Sequence, residues 1–202
     1  MDLLRYRQQR QKLLEERVPR RTLCSTCLQP ESGCYCSQIQ KFDANIKFAI
    51  LTHPIEFRRR IATGRMSHLC LADSELIVGH DYSNNQRINS LISNEDYHCV
   101  MLYPGVQSEN LNRIDSQARS KLFPKDKKLL VFVIDGTWAT AKKMVWLSKN
   151  LHHLPRICFT PDRPSNFQVR KQPRTECFST IEAIHQTIEL VGDSQGFKTK
   201  IR

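Results

Sequence analysis

The sequence predicts an α/β protein whose mostly parallel sheet is covered by helices on both faces. Strand-like apolar segments alternate with helix-like segments from residue 45 onward, a pattern typical of parallel sheets. The run LLVFVI (129–134) follows the polar stretch PKDKK (124–128) without polar alternation, which indicates a strand buried on both faces. With 40% hydrophobic residues, the 202-residue chain can build a substantial core, as one domain or one domain with a small appendage.

The individual elements follow this alternation in chain order. Strands are predicted at 45–51, 75–79, 98–104, 129–134 and 156–160, and helices at about 63–71, 84–92 and 137–149. The last helix is marked by the capping box Ser179-Thr180-Ile181-Glu182 at its start. Gly192 suits the position just after its end.

Three regions are predicted along the chain. Residues 1–22 form a basic segment of helical character, residues 23–42 form a small knuckle rich in cysteine, and residues 43–202 form the α/β domain. No apolar run approaches the roughly 18–20 residues that cross a bilayer, and the N-terminus lacks the apolar core of a secretory signal. We therefore expect a cytoplasmic protein with no membrane partner, and no protein partner is evident.

The charge of the chain favours a polyanionic partner. Lys and Arg total 31 against 20 acidic residues, a net charge of +11. The excess is concentrated in residues 1–22 and 163–175. A solvated basic surface without a partner is the alternative interpretation.

A four-cysteine cluster predicts a metal site. Cys24, Cys27, Cys34 and Cys36 read C-x2-C-x6-C-x-C, and four thiolates this close in sequence suit a structural, tetrahedral zinc ion. An iron–sulfur cluster stays open, because four cysteines do not identify the metal. Gly33 is expected to let the second turn fold back. The other cysteines are expected to be core residues: Cys70, Cys99, Cys158 and Cys177.

Three loops are expected to meet at one edge of the sheet, since each follows a strand and parallel strands end at the same edge. They are THPIEFRRRIATGR (52–65), Tyr103-Pro104-Gly105 and Asp135-Gly136-Thr137-Trp138. In the first loop, TGR (63–65) leads into a helix whose N–H groups could receive an anion.

Each candidate also has an interpretation without function. Asp135 could cap the helix that follows it, His53 could be a surface histidine, and Trp138 could be a core residue. Glu182 is already explained by the capping box. The absence of G-x-G-x-x-G and Walker motifs argues against ordinary dinucleotide or P-loop chemistry.

The order of five segments resembles that of the DTW-domain proteins, the tRNA-uridine aminocarboxypropyltransferases. These segments are the cysteine knuckle, THPIEFRRRIATGR, MLYPG, VIDGTWATAKKM and VRKQPRTECFSTIEAI, and together they span roughly residues 24–191. The resemblance implies that residues 43–202 are a transferase domain. It also implies a fold related to the SPOUT methyltransferases, with a C-terminal trefoil knot.

The resemblance further implies a reaction. S-adenosylmethionine would donate its 3-amino-3-carboxypropyl group to N3 of a tRNA uridine, in the variable loop of bacterial tRNA or in the D-loop for other members, and 5′-methylthioadenosine would be released. The basic segments fit tRNA as the partner. Two alternatives are a SPOUT-type RNA methyltransferase that uses the same donor and a non-catalytic, zinc-containing RNA-binding module.

The matched motifs suggest roles for individual residues. Asp135 is expected to act as the base that takes the N3 proton, Thr137 to hydrogen-bond the transferred arm, and Trp138 to stack on a base or on adenine. The donor's carboxylate would bind at the helix start or, alternatively, on the Arg65 guanidinium. The full set of expected donor contacts is His53, Arg65, Pro104, Gly105, Ser179, Thr180 and Glu182.

Overall fold

The structure, a computed structural model, describes residues 22–115, 117–118, 122–167 and 177–191. The chain divides into two compact units, Met1–Gln38 and Ile39–Arg202. Residues 1–21 of the predicted basic segment, and Gly192, lie outside the described residues.

The first unit is small and has little interior. Two 3-10 helices, Glu31–Gly33 and Cys36–Gln38, follow a bridge between Leu23 and Pro30. Within the described residues 22–38, Cys27 and Gln29 are the only buried ones. We therefore refer to residues 22–38 as the cysteine unit.

The second unit is built on a six-stranded sheet in which every pair of neighbours is parallel. The strand order is β2-β1-β5-β3-β6-β4. The strands are β1 (Lys47–Thr52), β2 (Ser74–Val78), β3 (Tyr97–Leu102), β4 (Ser108–Asn110), β5 (Lys128–Asp135) and β6 (Arg156–Cys158). This confirms the predicted α/β class with a mostly parallel sheet.

Five α-helices and one further 3-10 helix have described bounds in this unit. They are α1 (Pro54–Phe57), α2 (Thr63–Cys70), α3 (Gln86–Ile92), α4 (Trp138–Leu147), the 3-10 helix Lys149–Leu151 and α5 (Thr180–Val191). No helix among the described residues is long and apolar enough to cross a membrane.

Strand β5 lies near the centre of the sheet and contributes to both faces, as its unbroken apolar run predicts. Val131 and Val133 pack in one core cluster with residues of α5, and Leu130 and Phe132 pack in a second cluster with residues of α3 and α4. Helices therefore cover both faces of the sheet.

Besides the 3-10 helices, one strand and one α-helix were not predicted from the sequence. Strand β4 has the polar sequence SEN and pairs only at the sheet edge, so it carries no β-type pattern. Helix α1 is four residues long, which is too short for a helical period to show. Strand β3 also ends at Leu102, two residues before its predicted end.

Candidate active site and metal centre

A cavity of about 380 Å³ opens at the carboxyl edge of the sheet. Its walls come from the ends of β3 and β5, the segment after β6, and the starts of α2, α4 and α5. The volume is within the range of small-molecule sites, and this edge is where parallel sheets bind ligands.

Aromatic rings form one side of the cavity. Phe159 and Phe178 lie with ring centroids 5.7 Å apart at an angle of 51°, and both line the space together with Phe167. These rings give an apolar, aromatic wall that suits contact with a heteroaromatic group. These phenylalanines could not be predicted as cavity residues, because no motif or spacing in the sequence distinguishes them from ordinary apolar residues.

Asp135 ends strand β5 directly behind the cavity wall, with 3% of its surface exposed. Its Oδ1 accepts a 2.6 Å hydrogen bond from the hydroxyl of Thr180, the first residue of α5. Its backbone carbonyl accepts the N–H of His53 at 2.9 Å. Thr180 lines the cavity and Asp135 does not.

Gly64, the second residue of α2, lies against the other side of the Asp135 carboxylate. A Cβ atom added at Gly64 would stand 2.7 Å from Asp135 Cγ, so only glycine fits without displacing the carboxylate. The carboxylate therefore lies beside the first turns of both α2 and α5. The helix dipoles favour negative charge at both positions.

The structure excludes the alternative that Asp135 is merely a helix cap. Thr137 is the N-cap of α4, and its Oγ1 accepts the N–H of Thr140 at 3.3 Å. Thr137 also lines the cavity.

Trp138 is not a core residue, because 49% of its surface is exposed. Its indole N–H donates to Cys177 Sγ at 3.2 Å, and its ring lines the cavity. Cys158 lines the cavity as well. Of the four scattered cysteines predicted to be core residues, Cys99 packs against the second core cluster, whereas Cys70, Cys158 and Cys177 are partly buried and belong to neither cluster.

His53 and Arg65 shape the first loop and do not line the cavity. His53 caps α1, with Nδ1 accepting the N–H of Ile55 at 3.2 Å. Arg65 is 4% exposed and donates to the carbonyls of Phe57 at 3.0 Å and Arg59 at 2.7 Å. In this structure the Arg65 guanidinium stabilises the loop backbone.

Glu182 connects α5 to residues 165 and 166, which directly precede Phe167 in the cavity wall. Its carboxylate accepts the N–H and hydroxyl of Ser179, the hydroxyl of Ser165 and the N–H of Asn166, at 2.7–2.8 Å. Burial raises the pKa of the Glu182 carboxyl, but these four hydrogen bonds outweigh burial and hold the pKa below its ordinary value. The Ser179 hydroxyl donates to Glu182, so only the glutamate half of the predicted capping box forms in the expected direction.

The second predicted loop contributes one of its two candidate residues. Pro104 lines the cavity, whereas Gly105 lies just beyond its wall. The turn is held by the hydroxyl of Ser108, which donates to the carbonyl of Tyr103 at 2.8 Å.

The cysteine unit brings Cys24, Cys27, Cys34 and Cys36 into one cluster whose sulfurs all lie within 4.8 Å of one another. Two Sγ–Sγ distances, Cys24 to Cys36 and Cys27 to Cys34, are 3.7 Å. Tetrahedral zinc with Zn–S bonds of about 2.3 Å requires sulfurs about 3.8 Å apart. The donor set and its spacing therefore fit a metal ion.

Backbone N–H groups around the first knuckle favour a thiolate. The N–H groups of Cys27 and Thr26 point to Cys24 and lower the pKa of its thiol to about 6. Leu28 makes the reversal at φ 58°, and its N–H donates to the carbonyl of Cys24. Gly33 lies in the 3-10 helix Glu31–Gly33, and it has no positive φ.

Fold and site together define an α/β protein with a ligand cavity at the carboxyl edge of a parallel sheet and a four-cysteine unit. The chain belongs to the DTW domain family, whose model matches residues 21–201. This confirms the family resemblance of the motifs.

Curated relatives share the family. The tRNA-uridine aminocarboxypropyltransferase 2 of Drosophila melanogaster is 28% identical over 177 residues, which cover 85% of this chain and 67% of that protein. The protein of the same name from Mus musculus is 27% identical over 172 residues, which cover 83% of this chain and 55% of that protein. The chain thus spans about half the length of the mouse relative, and no solved structure matches it.

Proposed function

We propose that this protein is a tRNA-uridine aminocarboxypropyltransferase that uses S-adenosylmethionine and modifies N3 of a uridine, in the variable loop. The observation that carries the proposal is the Thr180–Asp135 hydrogen bond at the cavity edge. This bond joins the segment VIDGTWATAKKM, through Asp135, to the segment VRKQPRTECFSTIEAI, through Thr180. The two residues are 45 positions apart in sequence and meet at one ligand-sized cavity.

The cavity has the features that this donor requires. Bound S-adenosylmethionine would supply the aminocarboxypropyl group and leave as methylthioadenosine, a neutral thioether that needs no general acid. The rings of Phe159, Phe167 and Phe178 suit its adenine. We assign its carboxylate to the backbone N–H groups of the first turn of α5, because the hydroxyls of Ser179 and Thr180 already donate to Glu182 and Asp135.

The geometry refines the role of Asp135 as the base. Because Thr180 stands between Asp135 and the cavity, we propose that the N3 proton passes to Thr180 Oγ1 while the Thr180 hydroxyl proton passes to Asp135 Oδ1. The N3–Cγ bond would form as the Cγ–S bond breaks. The electron pair of the Cγ–S bond would remain on sulfur, which leaves as the thioether. The proton transfer contributes roughly 10²–10⁴-fold, and alignment of N3 with the Cγ–S bond contributes more, roughly 7–11 kcal/mol.

The other candidate residues receive supporting roles. Trp138 is half exposed at the cavity mouth and is available to stack on the target uracil or on the donor's adenine, while Thr137 orients the start of α4 beside the arm. Pro104 contacts the ligand. His53, Arg65, Gly105 and Glu182 hold the surrounding loops in place and do not touch the ligand.

Other parts of the proposal depend on the family and on composition. We infer that the four-cysteine cluster holds structural zinc, that the transferase domain has the SPOUT-type trefoil knot, and that the enzyme acts on tRNA in the cytoplasm. The net charge of +11 supports the tRNA partner, because phosphate contacts by Lys and Arg dominate affinity for nucleic acid.

The test is transfer to an unmodified tRNA transcript from two donors, one labelled in the aminocarboxypropyl carbons and one in the methyl group. We expect label from the first donor in a uridine nucleoside by mass spectrometry, with release of methylthioadenosine. Label from the methyl group with release of S-adenosylhomocysteine would instead identify a methyltransferase. If neither label enters the RNA and the donor is not consumed, the remaining alternative is the non-catalytic RNA-binding module.

A further inference from the structure

The outer side of α4 carries a feature that the cavity does not use. Trp146 has 71% of its surface exposed, on a helix whose opposite side is buried through Ala141, Met144 and Val145. An exposed tryptophan is costly to leave in water, and its rigid ring is a common site for stacking or anchoring.

The surroundings of Trp146 are positively charged. Lys142 and Lys143 precede it by four and three residues, so they lie on the same side of the helix, and both are exposed. Neither forms an ion pair within the described part of the chain. Residues 136–161 contain no Asp or Glu at all.

Beyond the end of α4 the positive charge is partly balanced. The carboxyl of Asp81 has its pKa lowered by the N–H of Ser83, which donates to it, and in addition by the nearby Lys149. Among the described residues, Lys142 and Lys143 are the exposed lysines on the same side of α4 as Trp146 that form no ion pair. Lysine is depleted at the centre of protein–protein interfaces, whereas a flat ring between cations is typical of nucleic-acid sites.

The position of α4 relates this side to the cavity. Trp138 begins the helix at the cavity mouth, and Trp146 follows eight residues later, about 12 Å along the axis and about 80° around it. Stacked nucleotides are spaced by about 3.4 Å per strand, so 12 Å corresponds to three or four nucleotides.

We propose that Trp146, Lys142 and Lys143 form an RNA-binding platform on α4, on which a base a few nucleotides from the modified uridine stacks while the adjacent phosphates contact the lysines. The proposal rests on the proposed function for the identity of the RNA. The two can be tested separately, because the platform is measured by binding without the donor.

The two tryptophans of the chain allow a direct test. In Trp138→Phe, Trp146 is the only tryptophan left, so tryptophan fluorescence reports on Trp146 alone. An unmodified tRNA transcript is expected to quench this fluorescence saturably. Inorganic polyphosphate, which carries charge but no bases, is expected to leave the emission unchanged. In Trp146→Ala, tRNA affinity is expected to fall roughly 5- to 150-fold, with a smaller loss in Trp146→Phe, which retains an aromatic ring.

The lysines have their own measurement. Lys142→Gln and Lys143→Gln should each make the negative slope of log affinity against log salt shallower by about 0.7–0.9, as expected for one lost phosphate contact. Unquenched Trp146 emission, or wild-type tRNA affinity in Trp146→Ala, would overturn the platform. So would a dimer in sedimentation that only Trp146→Ala dissociates, with tRNA affinity unchanged, since that would make this side an interface between copies.

Failure of the platform and failure of the proposed function give different results. If Trp146→Ala releases methylthioadenosine with an unchanged KM for tRNA, the platform is wrong and the transferase assignment stands. If tRNA quenches Trp146 but the wild-type protein transfers nothing, the platform stands and the transferase assignment is wrong.

Discussion

The cysteine unit and the sheet unit differ in what can stabilise each of them internally. In the cysteine unit, two of the described residues are buried, and four sulfurs gather within 4.8 Å. In the sheet unit, two apolar clusters enclose both faces of β5, and residues such as Phe132 and Val131 have no exposed surface. A segment as short as 22–38 cannot stabilise itself by apolar burial, so we expect its fold to depend on a metal ion held by the four cysteines, whereas the sheet unit has an apolar core of its own.

Metal removal should produce the largest difference in stability between the two units. A strong chelator, or Cys27→Ala, is expected to unfold residues 22–38, because structural zinc contributes about 10–16 kcal/mol to the folding of comparable peptides. Hydrogen exchange followed by mass spectrometry should show full loss of protection in 22–38 and unchanged protection in β1 and β5. The matched control is Cys70→Ala, a partly buried cysteine outside the cluster, which should keep one metal per chain. Protection that persists in 22–38 without metal would contradict the comparison.

Truncation of the core should have the complementary effect. Phe132→Ala in β5 is expected to cost about 3–5 kcal/mol of unfolding free energy, since it leaves a large cavity in a fully buried cluster. Chemical denaturation measures this loss, and metal content should stay at the wild-type value. Val106→Ala, at a fully exposed position, serves as the control and should change stability by no more than about 0.5 kcal/mol. A parallel loss of metal in Phe132→Ala would show that the units are not independent.

Thr180→Val should separate chemistry from stability within the sheet unit. Valine keeps the shape but removes the hydroxyl that donates to Asp135, so the proton path is cut. We expect kcat to fall at least about 100-fold with donor affinity and metal content near wild type. Thr180→Ser, which restores the hydroxyl, should recover most of the rate. Full activity in Thr180→Val would exclude the relay.

The smallest effect is expected at the polar edge of the cavity. Glu182→Gln weakens four charge-assisted hydrogen bonds and should cost about 1–2 kcal/mol at neutral pH. The folded-state pKa of Glu182 is lowered, so the stabilisation is present above the unfolded pKa of about 4.3 and is lost as pH falls through the lower folded value. The stability difference between wild type and Glu182→Gln should therefore shrink from pH 7 toward pH 3. A difference that does not change with pH would argue against the carboxylate as its cause.

The sequence predicted what depends on local pattern. The unbroken apolar run of β5 identified a strand buried on both faces, and the position of Asp135 at its end indicated the edge of the sheet at which the cavity lies. The spacing of the four cysteines identified the cluster. Family motifs then linked segments that no periodicity connects.

What could not be predicted depends on contacts between distant segments. That Arg65 bonds backbone carbonyls, and that Thr180 stands between Asp135 and the cavity, follow from packing across several elements. Gly64 carried a partial signal, because a glycine in the first turn of a helix usually marks a close approach of another group. Its partner, Asp135, lies 71 positions further along the chain and was not identifiable.

The all-parallel arrangement also determines when each unit can form during synthesis. Strand β1 pairs with β2 on one side and with β5 on the other, and β5 follows about 80 residues later in the chain. One edge of β1 therefore stays unpaired until residue 135 has left the ribosome. The four cysteines of the cysteine unit all lie before residue 38, so they can come together while the sheet is still unfinished. Slow, non-local pairing of this kind exposes apolar strands to aggregation, and the cysteine unit needs no such pairing.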